Sequence, residues 1–366
     1  MKIGRCALVA FMLFFVVLSG ASRDLQPKLP MKQVLELLAV SEVLVDRNHP
    51  GSADNKYGYE GGCAVKLDGV YHIFTAERFA DPGIVKMRLG HWTSADGENF
   101  QRVGTLFEST GTMTGDDPYA SIWSPMPVFD HKNDRWQFFY VAYRAKNNDE
   151  SGWYLNHLGR IWRVESEVKG LKGIGGPYKN VEVIMEPGEE SEPWEGLQGV
   201  DSFYPYRVGE QWYAFYGSAQ TQRDPNPDYP GHCVGIATAP RLDAPKWTRL
   251  GLEVNPVIMN HRFVENPVVT QLPSGEYIAL FDSGNAIGYS VSPDGINWSQ
   301  AAFLPVKEKA AKRWWSALRT PLGLVNEGDG TYTIFFTAYT GWSIADGIGQ
   351  DAYASIGKLT VKLLKQ

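Results

Sequence analysis

One pattern recurs five times along this 366-residue chain, and it constrains the fold more than any other feature. Each copy opens on a polar or charged residue and a small or Pro-containing step, continues through an extended apolar run and a turn, and ends in a strand dense in aromatics. The copies are YEGGCAVKLDGVYHIFTAER from Tyr59, IWSPMPVFDHKNDRWQFFYVAYR from Ile122, VDSFYPYRVGEQWYAFYGS from Val200, VENPVVTQLPSGEYIALFDSG from Val264 and LRTPLGLVNEGDGTYTIFFTAY from Leu318. Each reads as a β-hairpin, because Asp68-Gly69, Asn133-Asp134, Gly209-Glu210, Ser274-Gly275 and Asp329-Gly330 sit between the two runs and are turn-forming pairs.

Further strands follow most copies, as in LGHWTSADGENFQRVGTLF from Leu89 and IGYSVSPDGINWSQAAFLP from Ile287. About four strands per unit and a regular repeat indicate propeller blades. The expected fold is therefore all-β, a five-bladed β-propeller; a pair of unrelated β-sandwiches would not repeat one hairpin so regularly. In blade five only YASIGKLTVKLL from Tyr353 follows the hairpin, so SEVLVD from Ser41 is expected to supply the missing edge strand. Leu35 and Leu38 within MKQVLELLAV, residues 31–40, fall at helical spacing and predict a short N-terminal helical extension, packed on the propeller or on a second subunit. Monomer and homodimer both remain open.

Lys2 and Arg5 precede an apolar run from Ala7 to Leu18 and the small residues Ser19, Gly20 and Ala21. This predicts a signal peptide over residues 1–21, an N-terminal extension over 22–45 and the propeller domain over 46–366. The apolar run is shorter than the roughly 20 residues of a spanning helix, so a secreted or periplasmic protein without membrane insertion is expected. Of three cysteines, Cys6 would leave with the signal, and Cys63 and Cys233 read as isolated buried thiols. A net charge of −6 without a basic stretch argues against nucleic acid as a partner. Twelve Trp and 18 Tyr suit a ligand with flat apolar faces such as a sugar, although core packing could absorb many of them.

In a propeller the first strand of each blade lines the central channel. The starts of the first strands and the ends of the second then share one face, here called the strand-start face; the hairpin turns lie on the opposite, hairpin face. On this geometry Glu60, Trp123, Asp201, Glu265 and Arg319 gather at the strand-start face with Arg78, Arg144, Ser218, Asp282 and His157. SADGEN and SPDGIN fall on the hairpin face and read as structural turns. Three carboxylates at channel-lining positions are costly unless paired, hydrated or bound to a cation. A structural reading is that Glu265 pairs with Arg319 and helps weld the ring; three such carboxylates together favour chemistry.

At these residues the chain resembles glycoside hydrolase family 43 and its five-bladed relatives, the arabinanases, arabinofuranosidases and xylosidases. Trp123-Ser124-Pro125, Val200-Asp201-Ser202 and Glu265-Asn266-Pro267 resemble the family's steps in blades two, three and four, while Glu60-Gly61-Gly62 replaces its Asp-Pro in blade one. The resemblance covers the propeller and extends to family 117, the anhydrogalactosidases of agar oligosaccharides. It implies an exo-acting, inverting hydrolase of plant or algal oligosaccharides, with Glu265 as acid, Glu60 as base and Asp201 raising the proton affinity of Glu265. Such a pair of carboxyls stands roughly 6.5–9.5 Å apart, against about 5–5.5 Å in a retaining enzyme. Trp123, Arg78, Arg319, His157 and Asp282 are expected to bind substrate. No cofactor or metal ligand set is expected, with a channel calcium left open. A carbohydrate-binding propeller without hydrolysis and a phosphorylase resembling family 130 are the competing functions.

Overall fold

The structure is a computed structural model that describes residues 29–81, 85–146, 156–219, 231–251, 264–343 and 347–364. The predicted signal peptide, and most of the long connection after Gly217, lie outside the described residues. Five antiparallel sheets stand in chain order around a channel. Their innermost strands are Tyr59–Leu67, Ser121–Asp130, Asp201–Val208, Glu265–Gln271 and Ala317–Pro321, each paired to the strand that follows its hairpin turn. The five-bladed propeller is as the repeat predicts.

Ring closure differs from the expectation. Residues 31–40 form no helix: Leu35–Val40 is a strand and pairs antiparallel with Gly347–Leu363, Leu35 opposite Leu363 and Val40 opposite Leu359. It is this segment, rather than 41–46, that serves as the outer strand of blade five; Val45 adds only an isolated bridge to Ile356. The physical reason is the open edge of Gly347–Leu363, whose unpaired backbone groups reward pairing more than local spacing rewards a helix. Leu35 and Leu37 are buried while Leu38 is exposed, after a bulge between Leu37 and Ala39.

The aromatics mostly serve the core. Phe100 of blade one packs on Phe335 of blade five, and Trp298 of blade four on Phe215 of blade three, at centroid distances of 5.5 and 5.0 Å. Cys63 and Cys233 are buried and are not joined in a disulfide, as expected. The two Asp turns are structural too. Asp96 accepts from Glu98 N, Asn99 N and Asn99 Nδ2, and Asp294 repeats the set with Ile296 and Asn297.

One backbone device is repeated around the channel. Each innermost strand breaks register near its start: between Glu60 and Gly62, Trp123 and Met126, Asp201 and Tyr204, Glu265 and Val268, and Leu318 and Pro321. In four blades the residue just after the candidate site residue is left-handed, with φ of 67° at Gly61, 54° at Ser124, 48° at Ser202 and 52° at Asn266. Such bulges re-aim side chains and recur beside active sites. Gly62 admits no alternative, because a Cβ there would lie 1.9 Å from Phe74 O.

Candidate active site

The bulges deliver Glu60, Trp123, Asp201 and Glu265 from four blades, with Arg319 from the fifth, to one cavity of about 100 Å³ on the strand-start face. Immediately beneath, the bulge residues tie the blades together. Asn266 Oδ1 accepts from Ser202 Oγ at 2.7 Å and from Ser124 Oγ at 3.4 Å, while Asn266 Nδ2 donates to Thr320 Oγ1 at 3.2 Å. This buried polar belt spans blades two to five and forms the floor of the site.

Arg319 is the hub. Its Nε and Nη2 donate to Glu60 Oε1 at 2.9 and 2.6 Å, the same Nη2 donates to Glu265 Oε2 at 3.0 Å, and Nη1 lies 3.1 Å from Asp282 Oδ2. Since Glu60 Oε1 and Glu265 Oε2 share one nitrogen, at 2.6 and 3.0 Å, they stand at most about 5.6 Å apart. Arg319 thus welds the ring, as the structural reading of Glu265 anticipated, and also sets the spacing of the two carboxylates.

The remaining oxygen of Glu60, Oε2, accepts from the Tyr339 hydroxyl. Burial pushes the Glu60 carboxyl up, but Arg319, Arg78 and Tyr339 together outweigh it and hold the group below the usual carboxylate range. Asp201 is fully engaged: Oδ1 accepts from Ser202 N at 2.6 Å and Oδ2 from Gln198 Nε2 at 2.7 Å. Burial, and then repulsion by Glu265, push its carboxyl up to about 6. His232 Nδ1 stands 4.0 Å from the other Glu265 oxygen, and burial lowers its proton affinity.

Three of the residues expected to bind substrate do not line the cavity. Asp282 is wholly buried behind Arg319, where burial pushes its carboxyl up to about 8. Arg78, 2% exposed, donates to Tyr57 O and stacks over the Tyr339 ring at 4.9 Å, so it acts on Glu60 from behind. His157 is buried with Nδ1 3.1 Å from Leu197 O. These three brace the site. Trp123 does line the cavity, with Nε1 donating to Asn156 Oδ1 at 3.3 Å.

Sequence reasoning passed over Tyr143, Asn156, Gln198 and Tyr339. The two tyrosines carried a signal: Ala142-Tyr143 and Ala338-Tyr339 occupy matching places near the ends of the second strands of blades two and five. Asn156 and Gln198 lie outside the repeated hairpins, where no pattern marks them. Among the described residues no three His, Cys, Asp or Glu side chains gather as metal ligands.

Comparison with known structures adds a third line to the repeat and the topology. A family 117 glycoside hydrolase from the marine bacterium Zobellia galactanivorans superposes with a TM-score of 0.59 at 13% identity, covering 90% of each chain. The fold is that of the five-bladed glycoside hydrolases. A GH43_1 enzyme from Xanthomonas citri, complexed with xylotriose, gives a TM-score of 0.55 at 15% identity, covering 89% of this chain and 91% of its own. An N-acetylgalactosamine deacetylase from F. plautii, in complex with blood group B trisaccharide, gives 0.55 at 10% identity, covering 89% and 96%. No protein-family model and no curated protein matches the sequence. At these identities the likeness is one of fold, and the chemistry has to be argued from the site.

Proposed function

We propose that this chain is an exported glycoside hydrolase that trims plant or algal oligosaccharides from one end, with retention of configuration. The observation that carries the reading is the convergence of Glu60, Asp201 and Glu265, with Trp123, on a single cavity. The small size of this cavity, about 100 Å³, supports removal of single terminal residues. The charged and apolar run of residues 1–21 supports export.

The inverting assignment of Glu60 and Glu265 is not carried forward. Arg319 Nη2 bridges the two and keeps their facing oxygens within about 5.6 Å of each other, and a pair drawn together by one nitrogen favours direct attack by Glu60 over an interposed water. The short spacing suits a retaining pair. Glu60 Oε1 accepts two hydrogen bonds and Oε2 one, so one lone pair on Oε2 is left for attack. Its charge is maintained by Arg319, Arg78 and Tyr339.

In the first step Glu265 gives its proton to the glycosidic oxygen, the bond from that oxygen to the anomeric carbon breaks, and Glu60 bonds to the carbon. In the second, Glu265 takes a proton from water, whose oxygen displaces Glu60. Asp201 enters by repulsion: burial and the neighbouring Glu265 push the Asp201 carboxyl up to about 6, so the two groups compete for negative charge beside the reacting bond.

The test is ¹H NMR of the first-formed product from arabino-, xylo- and agaro-oligosaccharides. Retention is expected; inversion rejects the pair as assigned. Binding of all substrates without cleavage would instead indicate a carbohydrate-binding propeller. Phosphorolysis is disfavoured because Arg319, the one cationic side chain lining the cavity among the described residues, is already engaged by three carboxylates; turnover that requires phosphate would reverse that judgement.

A further inference from the structure

A second, larger cavity of about 360 Å³ opens on the hairpin face, between blades two and three. It is formed where the first hairpin turn of blade two, the first hairpin turn of blade three and the segment after His232–Ala239 come together. We infer that this cavity is an accessory binding site for neutral polysaccharide, separate from the catalytic cavity and facing the other way.

Its chemistry favours that ligand. Trp212 packs against the core and also lines the cavity, directly across the strand pair from Arg207, so the two side chains share one face of the sheet. An indole of this kind offers an apolar platform for a sugar ring. Around it stand three acids, Asp130, Glu210 and Asp243, and three cations, Lys132, Arg207 and Arg241. The formal charges balance, so the site lacks the cationic excess that a phosphate backbone requires.

Several of these groups pair with one another around the cavity. Arg207 Nη2 donates to Glu210 Oε2 at 2.8 Å and Arg241 Nε to Asp243 Oδ1 at 2.9 Å. Asn133 Nδ2 donates to both Asp130 Oδ2, at 2.7 Å, and Asp243 Oδ2, at 3.1 Å, fastening blade two to blade three. Acceptors and donors arrayed beside an aromatic face are what vicinal sugar hydroxyls pair with. Cavities in the range of about 300–1,000 Å³ commonly hold small ligands, and this one exceeds the roughly 100 Å³ of the catalytic cavity. It would hold a chain on the enzyme while a free end is trimmed on the opposite face.

The test is affinity electrophoresis in native gels containing arabinan, xylan or agar polysaccharide, run with Glu265→Gln so that no turnover is needed. Because binding alone is read, failure of the hydrolase assignment and failure of this site give different results. Retardation by at least one polysaccharide is expected, weakened tenfold or more by Trp212→Ala. Arg241→Ala, at an exposed position outside the core, serves as a second variant and is expected to weaken retardation in the same direction. Absence of retardation in all three gels, or retardation that survives both substitutions in proteins of native circular dichroism, overturns the inference.

Discussion

Asp282 faces Glu265 directly across the strand pair of blade four and lies 3.1 Å from Arg319 Nη1, out of reach of solvent. Arg319 therefore balances three carboxylates with one charge, and the most deeply buried of them is the one that gives way by holding its proton, with its carboxyl pushed up to about 8.

That arrangement makes stability depend on pH. A carboxyl whose proton affinity is raised by folding stabilises the native state fully below its unfolded pKa of about 3.9, and that contribution is lost as pH rises through the folded value. For Asp282 the window runs from about 4 to about 8, and for Asp201 to about 6. Each group can remove at most about 1.4 kcal/mol per pH unit within its window. Asp282→Asn keeps the shape and removes the titration. Thermal midpoints measured from pH 5 to 8 should fall more steeply for the wild type than for this variant; parallel curves would count against the assignment.

Tyr339→Phe removes the hydroxyl that donates to Glu60 Oε2. Loss of a hydrogen bond to the charged form raises a carboxyl's pKa. The acid limb of the kcat/KM profile should move upward, with kcat reduced about tenfold. An unmoved acid limb would mean that the limb reports another group.

Glu60→Ala should lower turnover by about a thousandfold or more, as expected on loss of a covalent nucleophile. Added azide should restore part of the rate with an activated aryl glycoside and give a glycosyl azide of inverted configuration. Rescue in Glu265→Ala with retained configuration would complete the pair, because there azide attacks the glycosyl-enzyme. Exchange of these two outcomes between the variants would reverse the roles.

Asn266→Ala should destabilise the propeller by about 2–3 kcal/mol in chemical denaturation. The loss combines the hydrogen bonds to Ser202 and Thr320, worth about 1 kcal/mol each, with the strain of a left-handed φ of 52° without a side chain that supports it. Asn266→Gly should recover the backbone part only. Equal effects of the two variants would show that the bulge conformation carries no cost.

The sequence alone determined the number of blades, the hairpin in each and the meeting of Glu60, Asp201, Glu265, Trp123 and Arg319, because these depend on local turn chemistry and on a repeat whose copies occupy equivalent places. What it could not determine were relationships between residues distant in the chain. The outer strand of blade five came from 35–40, whose helical spacing was overruled by the open edge of Gly347–Leu363. Asp282 and Arg78 had the same sequence position in their hairpins as surface residues would, and only the packing of neighbouring blades put them behind Arg319 and Glu60. The spacing of Glu60 and Glu265 was likewise set by the reach of a third side chain, Arg319, which approaches from a blade that precedes one and follows the other around the ring. Charge and distance at a shared site are properties of all the groups that converge there, and a one-dimensional pattern records each group separately.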